Sequence, residues 1–117
     1  MAKFRKIGIL SSGGDAPGMN AAIRAATRRA LSQGLEVVGI LGGYAGLLNA
    51  ADESDPEVVR QKYLRPFDTT SVSNIVTRGG TILYSSRGPE FKTPEGMAKA
   101  LKACHDHQID AVIAIGG

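Results

Sequence analysis

Residues 6–24, KIGILSSGGDAPGMNAAIR, contain the pattern on which the predicted fold rests. It opens on a short run that is apolar between its ends, and this predicts a buried strand from Lys6 to Ser11. Apolar residues at helical spacing then predict a helix from Met19 to Gln33, with Pro17 near its first turn and Gly34 as its terminator. Three glycines separate the two elements. A strand that passes through a glycine turn into a helix begins a βαβ unit.

The rest of the chain repeats this alternation. Strands are predicted at 36–41, 81–85 and 110–117, helices at 55–63 and 93–107, a polar loop at 49–55, and a further helical turn or two within 71–78. Strands and helices at these spacings predict an α/β fold, a three-layer parallel sheet with helices on both faces. No repeat or linker divides residues 1–117. The last predicted strand has no covering helix after it, so we expect the N-terminal portion of a larger nucleotide-binding domain.

Composition narrows the class of partner. The 117 residues carry a net charge of +3, with 43 % hydrophobic and 5 % aromatic residues. A mild basic excess suits a small anion, whereas the low aromatic share argues against nucleic-acid binding by base stacking. The apolar runs are too short to span a membrane, and one cysteine, Cys104, is typical of a reducing cytoplasm. Cys104, His105 and His107 are predicted to be structural or solvated.

Glycines follow two predicted strands at the edge where α/β proteins bind ligands. Gly13 and Gly14 follow the first strand, and Gly116 and Gly117 end the last one. A glycine turn that leads into a helix presents backbone N–H groups to phosphate. The spacing matches neither G-x-x-x-x-G-K-[ST] nor G-x-G-x-x-G. A phosphate site is one interpretation, and a tight turn that needs glycine only for close packing is the other.

An arginine is predicted at the same edge. In TRGGTILYSSR, residues 77–87, the predicted strand is followed by Ser86 and Arg87. A guanidinium there can bridge phosphate oxygens and stabilise the charge that builds up during phosphoryl transfer. A surface ion pair is the common alternative for a single arginine. Because two glycine turns share this edge, we favour the phosphate interpretation.

Three motifs together resemble a known family. They are GILSSGGDAPGMNAAIR (8–24), RGGTILYSSR with PEF after it (78–91), and IDAVIAIGG (109–117). In this order they resemble the N-terminal part of the bacterial ATP-dependent 6-phosphofructokinases, outside the segment between Leu48 and Thr70. The resemblance implies a cytoplasmic, allosterically regulated homotetramer of glycolysis. Its implied reaction transfers the γ-phosphate of ATP to fructose 6-phosphate with Mg²⁺, giving fructose 1,6-bisphosphate.

The resemblance implies donor-site roles for five residues. Gly14 would contact the ATP phosphates, and Arg87 would bridge the donor phosphates and support the transition state, so both are catalytic candidates. Tyr44 would lie beside the adenine. Gly88 and Gly117 would also line the nucleotide site, although the family often has a bulkier residue where this chain has Gly88. The metal-binding aspartate, the general base and most sugar-phosphate ligands follow later in the family's chain. We therefore expect no metal ligand in this chain, and no activity from it alone.

The resemblance also implies an effector site. Arg24 and Arg28 are four residues apart and share a helix face. In the family, arginines at these positions hold the phosphates of a nucleotide or phosphoenolpyruvate effector at a subunit interface, and Ser71 and Ser73 match another part of that site. A solvated basic face is the alternative from spacing alone. Thr69 stands where the family has an effector-binding arginine, and the segment before it is longer than usual.

Two other functions stay open from the sequence. A closely related branch of the family uses pyrophosphate as the phosphoryl donor, and the residues that distinguish the two donors follow Gly117. The other alternative is a nucleotide-binding or regulatory module without catalysis. Tyr44 favours a nucleotide over pyrophosphate only weakly.

Overall fold

The computed structural model describes residues 4–12, 18–72 and 93–116. Within these ranges the elements are β1 (Lys6–Ser12), α1 (Met19–Ser32), β2 (Glu36–Ile40), α2 (Tyr44–Asp52), α3 (Pro56–Lys62), β3 (Leu64–Phe67), a 3₁₀ turn (Thr70–Val72), α4 (Pro94–Asp106) and β4 (Ala111–Gly116). The described strands form one sheet in the order β3-β2-β1-β4. No helix in the described part of the chain is long and apolar enough to cross a membrane.

The sheet is mixed, and this corrects one detail of the prediction. β1 pairs in parallel with both β2 and β4, as expected from βαβ units. β3, which the sequence did not predict, pairs antiparallel with β2 at the sheet edge. It is only four residues long, and its two central residues, Arg65 and Pro66, are exposed, so it lacks a strand-like apolar pattern. The strand predicted at 81–85 lies outside the described residues.

Helices cover both faces of the sheet, which confirms the α/β class. Ile7 and Ile9 of β1 pack on one face with Ile23 of α1. Leu10 of β1 packs on the other face with Leu47 of α2. The side chains of consecutive strand residues point to opposite faces, so a strand that is covered on both sides must be apolar almost throughout. Residues 7–10 of β1 meet this requirement, and Ile9 and Leu10 among them are fully buried.

The predicted helices agree with the structure wherever a cap marks their start. Asp55 caps α3 by accepting the N–H of Glu57 at 2.9 Å, and Thr93 caps α4 by accepting the N–H of Gly96 at 3.0 Å. The helix predicted from Met19 to Gln33 is α1, which ends at Ser32. Gly34 then has φ +79°, as expected of a helix terminator.

The loop predicted at 49–55 is wrong over its first half, because α2 extends to Asp52. The buried residues of α2, Leu47, Leu48 and Ala50, face the core, whereas Asn49 and Asp52 are exposed on its outer side. In the sequence, the polar outer face and the acidic residues after it merge into one hydrophilic run. Burial of its apolar face therefore stabilises α2, and the local sequence does not mark it as a helix.

Candidate nucleotide and phosphate site

The carboxyl ends of the two central parallel strands meet at one edge of the sheet. Ser12, the last residue of β1, is in register with Gly116, the last residue of β4. Ser11, one position earlier, is completely buried. The two strands therefore end side by side, at the edge where α/β proteins bind ligands. Gly14, Arg87, Gly88 and Gly117 lie outside the described residues, as does Ser73, so their predicted roles stay predictions.

A glycine-dependent turn after β2 borders this edge. Gly42 and Gly43 have φ values of +83° and +64°, a region that residues with a side chain rarely adopt. Gly46, in the first turn of α2, packs so closely that an added Cβ would lie 2.1 Å from the carbonyl oxygen of Leu41. The turn therefore requires glycine at all three positions. Its consequence is that α2 starts directly at the strand end, with Tyr44 as its first residue.

The helices α1 and α2 begin at this edge without a side-chain cap. Their N-cap residues are Gly18 and Gly43, and neither helix has an acidic residue in its first turn. The N-terminus of a helix carries a partial positive charge and favours an anion. Because no carboxylate of the helix itself occupies either first turn, the edge is electrostatically suited to phosphate.

Tyr44 lines an apolar groove between α2, α4 and β4. The groove has a volume of about 230 Å³, and the other residues that line it are Leu47, Met97, Ala100, Leu101, Cys104 and Val112. Tyr44 is half-buried and packs against the core beneath. A flat apolar ring is the kind of group that such a surface accepts. The structure thus places the predicted adenine-binding residue beside an apolar groove that runs from the start of α2 toward Val112, near the start of β4.

Sequence reasoning missed the contribution of α4 to this groove. Met97, Ala100, Leu101 and Cys104 are three or four residues apart in four of their pairings along α4 (97/100, 97/101, 100/104 and 101/104), which places them on one side of the helix. Met97 and Leu101 are large, apolar and exposed. Cys104, predicted to be structural or solvated, is half-buried, and this burial raises the pKa of its thiol. The sequence does contain a signal for this groove. α4 has apolar residues over more of its circumference than one face packed on the sheet requires.

The predicted effector residues fall on neighbouring elements. Arg24 is partly buried and Arg28 is exposed on α1, and this helix contacts the 3₁₀ turn that contains Ser71. The Nε of Arg24 is buried and has no hydrogen-bond partner. A buried donor without an acceptor carries a desolvation cost that a bound anion would relieve. The structure therefore brings α1, the helix that carries Arg24 and Arg28, into contact with the turn that contains Ser71, although more than forty residues separate the serine from the arginines.

Ser71 already has a carboxylate partner. Its backbone N–H and its hydroxyl both donate to Oδ1 of Asp68, at 2.9 and 3.0 Å. These hydrogen bonds, the backbone one above all, lower the pKa of Asp68 and keep its carboxyl ionised. An anion that approached the Ser71 hydroxyl would meet this negative charge. A phosphate at the Ser71 hydroxyl would therefore have to compete with Asp68.

No group of three or more His, Cys, Asp or Glu side chains that could hold a metal ion occurs within residues 4–12, 18–72 and 93–116. The described residues therefore offer no observation on which a Mg²⁺ site can be placed. The role of Mg²⁺ stays a prediction from the resemblance.

The fold and this edge define an α/β protein of the kind that binds ligands where parallel strands end. The chain belongs to the phosphofructokinase family, whose model matches residues 6–117. It is 49 % identical over 114 residues to the ATP-dependent 6-phosphofructokinase of Streptococcus sanguinis. It is 48 % identical to that of Actinobacillus succinogenes over the same length. Each match covers 97 % of this chain but only 30 and 32 % of those relatives, so the chain spans about a third of their length.

Solved structures show the same similarity. The phosphofructokinase of Pichia pastoris in the T-state matches with a TM-score of 0.84 and 35 % identity, covering 100 % of this chain and 11 % of that one. The phosphofructokinase of Saccharomyces cerevisiae matches with a TM-score of 0.82 and 35 % identity, covering 97 and 14 %. The family predicted from the three sequence motifs is therefore confirmed, and so is the α/β architecture.

Proposed function

We propose that this chain supplies the ATP-binding edge of a 6-phosphofructokinase, which transfers the γ-phosphate of ATP to fructose 6-phosphate and yields fructose 1,6-bisphosphate. The observation that carries the proposal is the groove beside Tyr44, whose helix α2 begins, like α1, from a glycine N-cap and has no acidic residue in its first turn. The groove suits a nucleobase, and the helix N-termini suit phosphates. Membership of the family and its ATP-dependent relatives support the reaction.

Each proposed role follows from the chemistry of its residue. Tyr44 packs against the adenine, and Gly14 leaves room for donor phosphates beside the backbone. The Arg87 guanidinium bridges donor phosphates and stabilises charge as the phosphoryl group leaves. Gly88 and Gly117 line the nucleotide without obstructing it. When bound, ATP supplies the transferable phosphoryl group, and Mg²⁺ neutralises part of its charge.

Regulation and assembly are part of the same proposal. Arg24 and Arg28 hold the phosphate of a nucleotide or phosphoenolpyruvate effector, with the buried Nε of Arg24 as one donor. Ser71 contributes its hydroxyl to the effector only if the effector displaces Asp68, because that hydrogen bond is already made, and Ser73 is the second serine proposed for the same site. The resemblance adds a cytoplasmic homotetramer, in which this effector region lies between subunits.

A calorimetric titration with a non-hydrolysable ATP analogue tests the donor site. Gly14→Val should abolish or severely weaken binding while the chain stays folded, because branched carbons would fill the space meant for phosphate oxygens. Gly34→Val is the matched control, since Gly34 has positive φ and no atom within 4 Å of an added Cβ. It should lower the melting temperature and leave affinity unchanged. Normal binding by Gly14→Val, or its failure to fold, would assign the first glycine turn to packing.

Tyr44→Ala distinguishes ATP from pyrophosphate as the donor. It should weaken binding of the ATP analogue by roughly tenfold, the scale for losing one aromatic stacking partner of a base. It should not change the affinity for inorganic pyrophosphate, which has no base. If the unmodified chain binds pyrophosphate and shows no measurable affinity for the ATP analogue, the pyrophosphate-dependent alternative replaces the proposal.

Arg87→Ala tests catalysis against a non-catalytic module. In a phosphofructokinase that contains this chain, the substitution should lower kcat by a factor of about 10²–10³, the scale for losing one preorganised donor to transition-state charge. Arg87→Lys should recover only part of the loss, because an ammonium cannot bridge two oxygens as a planar fork does. A coupled assay measures both variants. An unchanged kcat in Arg87→Ala would remove Arg87 from the mechanism.

A further inference from the structure

A second cavity lies between α3 and the β2–β3 strand pair and extends to the opposite edge of the sheet, where β1 begins. Its volume is about 340 Å³, near the lower end of the range for small-molecule sites. Three basic residues from separate elements line it: Lys6 of β1, Arg60 of α3 and His107, which follows α4. The remaining lining residues are Val38, Pro56, Val59, Leu64 and Pro66. Among the described residues, none that lines the cavity is acidic.

We propose that this cavity binds a small organic anion, a carboxylate or phosphate monoester with a short hydrocarbon body. The lining divides into two chemical parts. Lys6 and Arg60 supply cationic donors for the anionic head, and the aliphatic side chains and prolines supply contact area for the hydrocarbon. An inorganic ion would use only the first part. The site lies at the other edge of the sheet from the proposed ATP site and goes beyond that function.

Lys6 is held in place by α4. Its Nζ donates to the carbonyl oxygen of His107 at 2.9 Å, and this contact is partly buried. An ammonium has three donors, so this bond leaves others for a ligand. The same contact joins the start of β1 to the end of α4. The carboxylate of Asp110 also reaches this edge, where it accepts the backbone N–H groups of Arg5 and Lys6 at 2.7 and 3.1 Å.

Arg60 has a partner that a ligand can replace. Its Nη2 lies 3.0 Å from Oε2 of Glu57, and the two side chains are 56 and 60 % exposed. An exposed ion pair of this kind contributes little to stability, because water already solvates both charges. An anion in the cavity would compete with Glu57 for the guanidinium. Removal of the Glu57 charge should therefore strengthen ligand binding.

His107 reports directly on the charge in the cavity. Burial lowers the pKa of its ring, and Lys6 and, to a smaller extent, Lys102 lower it further, against the opposing effect of Asp106. A bound anion adds negative charge beside the ring, which should raise the pKa of His107. His105 does not line the cavity and its side chain is 92 % exposed. The two histidines thus provide a probe and an internal reference.

The experiment is an NMR titration of both histidine rings in the 117-residue chain at constant ionic strength. Phenyl phosphate and benzoate represent the two classes of head group on an apolar body, and inorganic phosphate and chloride are the comparison ions. We expect a saturable shift at His107, a raised pKa of its ring, and little change at His105. Phenyl phosphate or benzoate should bind more tightly than inorganic phosphate, because only they contact the aliphatic wall.

Three variants place the binding site. Arg60→Ala should weaken binding by about tenfold or more, the effect of losing one charge-assisted hydrogen bond. Glu57→Gln should strengthen it by up to about fivefold, the scale of one exposed ion pair. Arg65→Ala is the matched control, because Arg65 is an exposed arginine nearby in the sequence that does not line the cavity. It should leave the affinity unchanged.

Two results would overturn the proposal. Shifts at His107 that do not saturate, or that chloride reproduces, would mean an adventitious ion only. An Arg60→Ala chain that folds and binds phenyl phosphate and benzoate as well as the unmodified chain does would remove the cationic head-group site.

Discussion

The four described α-helices begin in two different ways. α1 and α2 start from glycine, without a side-chain cap and without an acidic residue in the first turn. α3 and α4 start from Asp55 and Thr93, whose side chains accept a backbone N–H, and both continue with proline and glutamate. The first pair follows strand ends at the carboxyl edge of the sheet. The second pair carries its own caps.

The difference separates helix starts that serve stability from helix starts that suit a ligand. A side-chain cap and a first-turn carboxylate satisfy backbone N–H groups and compensate the helix dipole, which stabilises the helix. The same groups would compete with an incoming anion. The glycine N-caps of α1 and α2 have no side chain that could do this, and the two helices pack against the sheet through Ile23 and Leu47, which are buried. The positive ends of these two helices are therefore compatible with donor phosphates.

The largest effect on stability is expected from Gly46→Ala at the start of α2. The new Cβ would lie 2.1 Å from the Leu41 carbonyl oxygen, so the helix must move away from the strand end. We expect a loss of at least about 3 kcal/mol in the free energy of unfolding, as for severe overpacking. Gly34→Ala has open space around its Cβ and should cost only about 1–2 kcal/mol from its positive φ. Urea denaturation of both variants measures the difference, and equal losses would contradict this account.

A smaller effect is expected from Thr93→Ala at the start of α4. The hydroxyl that accepts the Gly96 N–H at 3.0 Å is lost, which should lower the free energy of unfolding by about 1 kcal/mol. Thr93→Ser keeps that oxygen and should recover most of the stability. Thermal melts provide the comparison. If the serine variant is as unstable as the alanine variant, the cap does not hold α4.

The smallest effect on stability is expected from Ala45→Glu in the first turn of α2. This variant also tests directly whether the N-terminus of α2 binds the phosphoryl donor. A carboxylate there gives α2 the charge that α3 and α4 already have and should stabilise the chain by about 0.3–1 kcal/mol. It should also weaken binding of the ATP analogue, because it competes for the same positive end. Ala45→Gln controls for size. Unchanged binding in Ala45→Glu would show that the α2 N-terminus does not contact the donor.

Local signals predicted the capped helices well and the uncapped α2 poorly. Asp55-Pro56 and Thr93-Pro94 marked the starts of α3 and α4, because a cap and a proline act within a few residues of the chain. α2 begins at Gly43 and Tyr44 with none of these signals. β3 was not predicted either, because it too lacks a local sequence signal. Its pairing of Pro66 opposite Val38 depends on the position of β2, which the local sequence of β3 does not contain.

The candidate site also has parts that the local sequence predicted and parts that depend on distant segments of the chain. Tyr44 was predicted as a site residue from a contiguous family motif, whereas the positive-φ turn at Gly42 and Gly43 that precedes it was not predicted. The groove beside Tyr44 was not found, because it needs Met97 and Leu101 from a helix more than fifty residues away. The contact between α1 and the turn that contains Ser71 was implied by the family alone until the fold brought the two elements together. The engagement of Ser71 by Asp68 was not predicted.

The α/β class, the capped starts of α3 and α4 and the family could all be predicted from the sequence, because each depends on neighbouring residues or on contiguous motifs. The contacts between distant segments of the chain are known only from the tertiary structure. It brought Tyr44 beside α4, set β3 antiparallel at the sheet edge, and gathered Lys6, Arg60 and His107 around one cavity. The physical reason is that propensity, capping and turn geometry act over a few residues. The partners of a strand or helix face are instead chosen by which apolar surfaces the whole chain can bury together.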